Sequence, residues 1–507
     1  MPQYLLFFIK FIYSVCVVGM AIYGLNNLAL VIFYFHGKGK TAKGKKLESP
    51  KEWPSVTIQL PIFNEKNVFE RLLRHITGLD YPPEKLQIQV LDDSNDDTSL
   101  EVNRLVESYR RKKIKVKLIQ RSNREGFKAG ALKEGLRSAT GEFIAIFDAD
   151  FMPGKDWLKK VIEAFNDEKI GCVQTRWGHA NTSHSPFTRS VALGLNGHFV
   201  VEQAARSSNG LFFGFNGTAG VWRRACIEDA GGWQPDTLTE DLDLSYRAEL
   251  KGWRFRYLSD VVVPAELPVM IESFKKQQYR WAKGCAQTAK KLYPRLLRAD
   301  IPEYVRIMGI IHLGGYFVSL LMVLSFLTLI LLGLYDSHYL SLFPYTLITS
   351  LGPPLLYMVS CAEDFPHFSD RLKAFPLLML IGYGISLNNA VAVLDGLIST
   401  RVGTFDRTPK YNDFGKGRVE DRAGYSFQVS PMVWIELLFS LIALGGAYLL
   451  YQKLGWAIVP WMLLYALGYA FIALFNLSQA IRYSTGKPQR LAVSSDSTSQ
   501  STKPLET

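Results

Sequence analysis

Four short stretches set acidic and aromatic side chains in a fixed order along the chain. They are Leu91-Asp92-Asp93-Ser94, Phe147-Asp148-Ala149-Asp150, Leu238-Thr239-Glu240-Asp241-Leu242 and Gln277-Gln278-Tyr279-Arg280-Trp281. The first two end apolar, β-type runs, which puts bare carboxylates at strand tips. Asp148 and Asp150 are two apart, so in an extended segment their carboxylates project to the same side. Oxygen ligands of this kind suit Mg²⁺ or Mn²⁺ held jointly by protein and a diphosphate. A lone D-x-D also occurs in solvated turns; its place at a strand end, downstream of another strand-end acid pair, favours the metal. Asp241 is the candidate general base, because a hydroxyl attacking an anomeric carbon needs a carboxylate to accept its proton. With Glu240 before it and Asp243 after it, the same stretch also reads as an acid-rich helix start. Paired carboxylates serve glycosidases too, which need no phosphate-type metal site.

These groups need elements to hold them. Residues 55–180 alternate between strand and helix patterns, with strands at Val56–Leu60, Gln87–Leu91, Ile114–Ile119, Phe143–Phe147 and Gly171–Thr175. Helical stretches at 65–78, 97–112, 127–138 and 155–166 lie between them. Such alternation predicts an α/β domain with a mostly parallel sheet, whose ligands gather at the carboxyl ends of the strands. Both acidic motifs fall at such ends. Gly126-Phe-Lys128-Ala-Gly130 supplies a lysine and flexible backbone at a helix start, suited to a phosphate. Trp177, Trp222, Trp233, Trp253 and Trp281 could stack on sugar rings or simply fill the core.

The net charge of +12 could suggest nucleic acid, but its placement argues otherwise. Lysines 38, 40, 43, 45, 46 and 51 directly follow an N-terminal apolar run, as positive-inside charge does. That run, from Phe11 to Phe35, reads as a retained anchor and not as a cleaved signal. The five cysteines show no paired spacing and read as reduced thiols. Further apolar runs lie at 307–335, 342–361, 374–398, 431–452 and 456–478, each near spanning length. Ser386, Asn388, Asn389 and Asp395 interrupt the 374–398 run. If that run lies in the interface or re-enters, the basic loop 401–422 and the C-terminus both return to the cytosol, so five spans plus one interfacial or re-entrant helix are expected. Residues 268–293 form a basic amphipathic segment expected to lie flat on an anionic leaflet, or else on the surface of the soluble domain. The tail 485–507 is expected to be disordered.

The ordered motifs resemble the D, D-x-D, T-E-D and Q-x-x-R-W signature of the family-2 glycosyltransferases of the cellulose synthase superfamily. The stretch Phe212–Trp222, with Gly231-Gly-Trp233 and Lys251-Gly-Trp253, resembles most closely the cellulose synthase-like mannan, glucomannan and xyloglucan-backbone synthases. The resemblance is strong over residues 50–300 and looser beyond. It implies a GT-A type, Rossmann-like nucleotide-sugar domain inserted between transmembrane α-helices. The divisions expected are an N-terminal transmembrane helix (1–36), a basic linker (37–54), a cytosolic GT-A domain (55–266), amphipathic interfacial helices (267–304), a membrane bundle (305–482) and a tail (483–507).

By the same resemblance, Asp93 and Lys128 would contact the donor nucleotide and its diphosphate. Asp148 and Asp150 would hold donor and metal, Mg²⁺ or Mn²⁺, with Asp150 the direct ligand. Asp241 would be the base, and Glu240, Gln277, Gln278, Arg280 and Trp281 would bind the acceptor. Phe405, Arg407, Thr408 and Lys410 occupy the place of a gating loop within 401–422. Gln278 stands where many processive bacterial cellulose synthases carry Arg, and no cyclic-dinucleotide-binding domain follows the last apolar run, so regulation by such a ligand is not expected. The implied activity is transfer of a hexose from UDP-glucose or GDP-mannose to a growing polysaccharide, extruded across the membrane. A non-processive transfer to a membrane lipid is the alternative, and a transporter or scaffold with a degenerate fold is disfavoured by the intact carboxylates.

Overall fold

The computed structural model describes residues 1–41, 49–342, 351–364, 368–403, 410 and 429–485. Seven strands form one sheet: β1 (Val56–Ile62), β2 (Leu86–Asp92), β3 (Val116–Gln120), β4 (Phe143–Ile146), β5 (Ile170–His179), β6 (Gly220–Arg223) and β7 (Arg254–Ala265). Their order is β3-β2-β1-β4-β6-β5-β7. Only β6 runs antiparallel to its neighbours. The winding reverses at β1, which pairs with β2 on one side and β4 on the other. Ligands collect outside the carboxyl ends of strands at such a switch point.

Helix α1 (Gln3–Thr41) precedes the sheet, and α2 (Lys66–Thr77), α3 (Thr98–Arg111), α4 (Phe127–Arg137) and α5 (Trp157–Glu163) alternate with its strands. Val68, Phe69, Leu72, Leu73 and Ile76 recur at helical spacing on α2 and are all buried. With apolar residues of α3 and α5 they cover one face of the sheet. The other face is packed by α4 together with α8 (Arg224–Asp229) and α9 (Glu240–Glu249). Between β5 and β6 run α6 (Pro186–Asn196), a π-helical turn (Gly197–Glu202) and α7 (Gln203–Ser208).

From α10 (Ile271–Arg298) onward the elements among the described residues are helices: α11 (Glu303–Leu313), α12 (Phe317–Tyr335), α13 (Gly352–Asp364), α14 (Phe368–Ile398), α15 (Met432–Leu454) and α16 (Val459–Thr485). Four described stretches are long and apolar enough to cross a membrane: Gln3–Lys38, Phe317–Tyr335, Lys373–Ile398 and Met432–Arg482, the last holding both α15 and α16. The apolar run at 307–335 is not one helix, because it breaks at Gly314-Gly315 into α11 and α12. Gly314 is needed there, since a Cβ would lie 2.4 Å from the Tyr293 hydroxyl. Of the run at 342–361, residues 343–350 lie outside the described residues.

Two features of the helical half matter for the site. First, α10 is joined to later helices by ion pairs. Lys275 and Lys283 are buried and paired with Glu436 of α15 and Asp395 of α14, each at 2.7 Å. Second, α14 touches α6 or α10 at points from Ala374 to Asp395. Ser190 Oγ of α6 donates to Ala374 O, Ile381 and Ile385 pack with Phe187 and Ile271, Asn388 Nδ2 donates to Lys275 O, and Asp395 meets Tyr279 and Lys283. The polar residues that interrupt this run are thus satisfied by protein.

Candidate active site

One cleft runs along the carboxyl edge of the sheet and is closed from the far side by α10. Asp93, Lys128, Asp148, Asp150, Glu240, Asp241, Gln277, Arg280, Trp281 and Lys410 all line it. Asp93 is the first residue past β2, and its amide donates to Ile62 O at the end of β1. Arg121, the first residue past β3, grips its carboxylate with Nε on Oδ1 at 2.8 Å and Nη2 on Oδ2. The same guanidinium holds the carbonyls of Glu125 and Phe127, fixing the turn into α4. Charge-assisted, two-point pairs of this kind orient a carboxylate well.

Lys128 sits in the first turn of α4. Its Nζ donates to Asp148 Oδ1 at 2.5 Å and to Gly217 O at 3.0 Å. Burial would lower the pKa of this ammonium, but the carboxylates of Asp148, Glu240 and Asp241 hold it above the ordinary value. It is a fixed cation at the centre of the cleft. Asp148 is half-exposed to that space, whereas Asp150 is buried, with its Oδ2 accepting from Glu266 N at 3.0 Å and from Lys410 Nζ at 2.6 Å.

Across from Lys128, Glu240 and Asp241 are the first two residues of α9. Asp241 Oδ1 accepts from the Leu242 amide, and Gly217 lies against Oδ2: a Cβ at 217 would stand 2.9 Å from it. Gly217 has φ +80, a conformation that glycine adopts without cost. Burial raises the pKa of Asp241, with Lys128 opposing the shift. Burial and the Asp241 charge push Glu240 up to about 7. Proton acceptors tuned upward in this way suit general-base work near neutral pH. Burial lowers the pKa of Arg280, against the pull of Asp148, Glu240 and Asp241.

Gln277, Arg280 and Trp281 share the face of α10 turned to the cleft. Gln278 does not: its Oε1 accepts from Tyr316 OH at 3.2 Å, beside the start of α12. Phe405, Arg407 and Thr408 lie outside the described residues. Of the five tryptophans singled out from the sequence, Trp222 and Trp233 are core, Trp253 donates to Asp229, and Trp177 and Trp281 line the cleft. Residues not singled out from sequence also line it, among them Phe63, Arg124, His179, Asn216 and Glu266. Arg121 follows the end of a strand legible in the sequence, so the position that flagged Asp93 would have found it, whereas Glu266 follows β7, whose mixed charged and apolar residues show no clean period.

No group of three or more His, Cys, Asp or Glu side chains able to hold a metal exists among the described residues. The donor set still fits a divalent cation of the Mg²⁺ or Mn²⁺ kind. Asp148 and Asp150 offer hard oxygens, and a cation of this type completes its shell with phosphate oxygens and water.

Residues 54–284 match the family described as Glycosyltransferase like family 2. The chain carries a family 2 glycosyltransferase domain. Over 251 residues it is 43% identical to Glucomannan 4-beta-mannosyltransferase 1 of Oryza sativa subsp. japonica, covering 48% of each chain. Glucomannan 4-beta-mannosyltransferase 1 of Cyamopsis tetragonoloba is 43% identical over 261 residues, half of each chain. The chain thus spans about half the length of the curated relatives it matches. Among solved structures, the mannosyltransferase PcManGT from Pyrobaculum calidifontis, in complex with GDP-Man and Mn²⁺, superposes with a TM-score of 0.51 at 22% identity. That match covers 77% of this chain and 99% of the other, and establishes the glycosyltransferase fold.

Proposed function

We propose that this glycosyltransferase domain moves a hexose, by single displacement with inversion, from a nucleotide sugar onto a growing β-linked polysaccharide at the membrane. The observation that carries the reading is Lys128, whose Nζ bonds both Asp148 on the donor side and Gly217 O beside Asp241 on the acceptor side. One ammonium therefore stands between a diphosphate-type site and a carboxylate of raised basicity. The similarity to glucomannan mannosyltransferases favours mannose, and GDP-mannose over UDP-glucose as donor.

In this mechanism Asp93 and Arg121 bound the nucleotide end of the cleft, and Lys128 and Arg280 face the diphosphate. Asp148 and Asp150 would hold Mg²⁺ or Mn²⁺, which when bound supplies positive charge to the departing diphosphate. Asp241 Oδ2 takes the acceptor hydroxyl proton as the oxygen bonds to the anomeric carbon and the C–O bond to phosphate breaks. Trp281 offers an indole face to the acceptor sugar.

The Lys410 contact with Asp150 supports placing the loop 401–422 on the same side of the membrane as the catalytic domain, the cytosolic side by lysine placement. Helix α14, roughly 40 Å long, packs on α6 and α10 as well as on α12 and α16, and the first set of contacts supports an interfacial helix. Extrusion of the product rests on that topology. Incubating purified protein with radiolabelled GDP-mannose and UDP-glucose, then sizing the products, tests the proposal. A ladder of mannose-containing oligomers is expected. A singly glycosylated lipid at every donor concentration would replace the polymer reading with the lipid one.

A further inference from the structure

Helix α10 has two working faces. On one, Gly284 lets the helix close on the backbone entering α9: a Cβ there would lie 2.9 Å from Thr239 N. Thr288 bonds Thr239, and Lys291 reaches Asp236 and Asp243. On the other face, Lys283 pairs with Asp395 and Lys290 Nζ donates to Leu397 O, gripping the end of α14 just before the segment 399–403. Gln287 lies between the faces and serves both. Its Oε1 accepts from Leu238 N at 3.0 Å, and its Nε2 donates to Val402 O at 3.0 Å.

We propose that Gln287 is a positioning residue that ties the chain at Val402, eight residues before Lys410, to the backbone that aims Glu240 and Asp241. The inference rests on the reading of Asp241 as base. Gln287 is buried, and its amide supplies one acceptor and one donor to backbone groups 164 residues apart in sequence. A glutamine amide has the two polarities needed on one rigid plane. Replacing its NH₂ by an oxygen would set two acceptors against each other at Val402 while keeping the bond to Leu238. A shift of the Val402 segment is therefore felt three residues before the base. A misplacement of about 1 Å at a reacting group is enough to slow chemistry severely.

The test compares full-length wild type, Gln287→Glu and Lys290→Met in lipid nanodiscs, measuring sugar transfer and amide hydrogen exchange. Lys290→Met removes a bond to the end of α14 without touching the Leu238 side. For Gln287→Glu, transfer kcat should fall roughly 10- to 100-fold with donor KM changed by no more than about twofold. Exchange should rise at 399–403 and also at Leu238–Asp241, while Lys290→Met leaves kcat and the Leu238–Asp241 amides as in wild type. The proposal is overturned if Gln287→Glu loosens 399–403 alone, if kcat is unchanged, or if Lys290→Met produces the same loss. Should Gln287→Glu not be recovered folded, Gln287→Met, uncharged and of similar size, removes both bonds, and the proposal is overturned if kcat and the exchange of both segments stay as in wild type. If wild type transfers no sugar, the functional reading falls, while the exchange data still decide whether Gln287 links the two segments.

Discussion

Lys410 Nζ lies 2.6 Å from Asp150 Oδ2, although the two residues are 260 positions apart. The same ammonium donates to Glu266 O at the end of β7. Burial would lower the pKa of Lys410, but Asp150 and Glu266 raise it, so the lysine is a charged partner. A carboxylate proposed above to share a cation with a diphosphate is thus paired with a side chain from beyond α14.

Asp150→Asn removes the charge that both partners need. Transfer should fall roughly 100-fold or more, the scale of losing several kcal/mol of charge stabilisation at the leaving group. Binding of Mn²⁺ in the presence of nucleoside diphosphate, followed by calorimetry, should weaken in parallel. Full turnover of the wild type in excess chelator would remove the metal from the account.

The Glu240–Asp241 pair makes a prediction about pH with two readouts. A carboxylate works as a base only when ionised, and both are raised by burial, Glu240 to about 7. Asp241 is the proposed base, and burial holds it above the ordinary aspartate value, so transfer should decline with falling pH sooner than an exposed aspartate would dictate. Stability moves the other way. A carboxyl group whose folded pKa exceeds its unfolded value binds more protons in the native state between those values. Its contribution is lost as pH rises from the ordinary carboxylate value of 4.5 through about 7. Glu240→Gln should raise the melting temperature at pH 8 relative to wild type and leave it nearly unchanged at pH 4. An equal shift at both pH values would contradict the assignment.

Much of the sheet and half of the site were legible because an apolar run followed by an acid is a local signal. β1 to β5 and the positions of Asp93, Asp148 and Asp150 at their edge follow from it. β6 and β7 were not legible. β6 is four residues inside a glycine-rich stretch, and β7 mixes Arg254, Arg256 and Asp260 with apolar residues, so neither shows a clean period. The partners of Lys275 and Lys283 lie more than a hundred residues away, so helical periodicity could only suggest that these charges face a membrane surface. Gln278 was grouped with its neighbours by motif, yet its position on the helix turns it to Tyr316.

Lys275 and Glu436 make the attachment between α10 and α15 testable. Both side chains are nearly inaccessible, at 3% and 0% exposed, and lie 2.7 Å apart. Removing one partner leaves the other buried and uncompensated, which costs about 3–5 kcal/mol. Lys275→Met and Glu436→Leu should each lower the melting temperature in detergent sharply. The double variant should recover most of the loss, because an apolar pair of similar volume replaces a desolvated ion pair. Additive losses in the double variant would mean that the two residues act independently.

Trp281 bears on product length. It lines the cleft on the α10 face that also presents Gln277 and Arg280, on the same helix that carries Lys275 to α15. An indole face holds a sugar ring by stacking and imposes little direction along the chain, so a bound glycan can advance by one unit without breaking a fixed set of hydrogen bonds. Trp281→Ala should therefore shorten the products and lower elongation by roughly 10-fold, about 1.4 kcal/mol of lost stacking, while hydrolysis of the donor to water stays close to wild type. Asp241→Asn should do the opposite to the chemistry: donor binding is retained and transfer is lost at every product length. Size analysis of radiolabelled products from both variants, beside donor hydrolysis measured in the same reactions, separates the two roles. Equal loss of hydrolysis and elongation in Trp281→Ala would place Trp281 with the donor and not with the growing end.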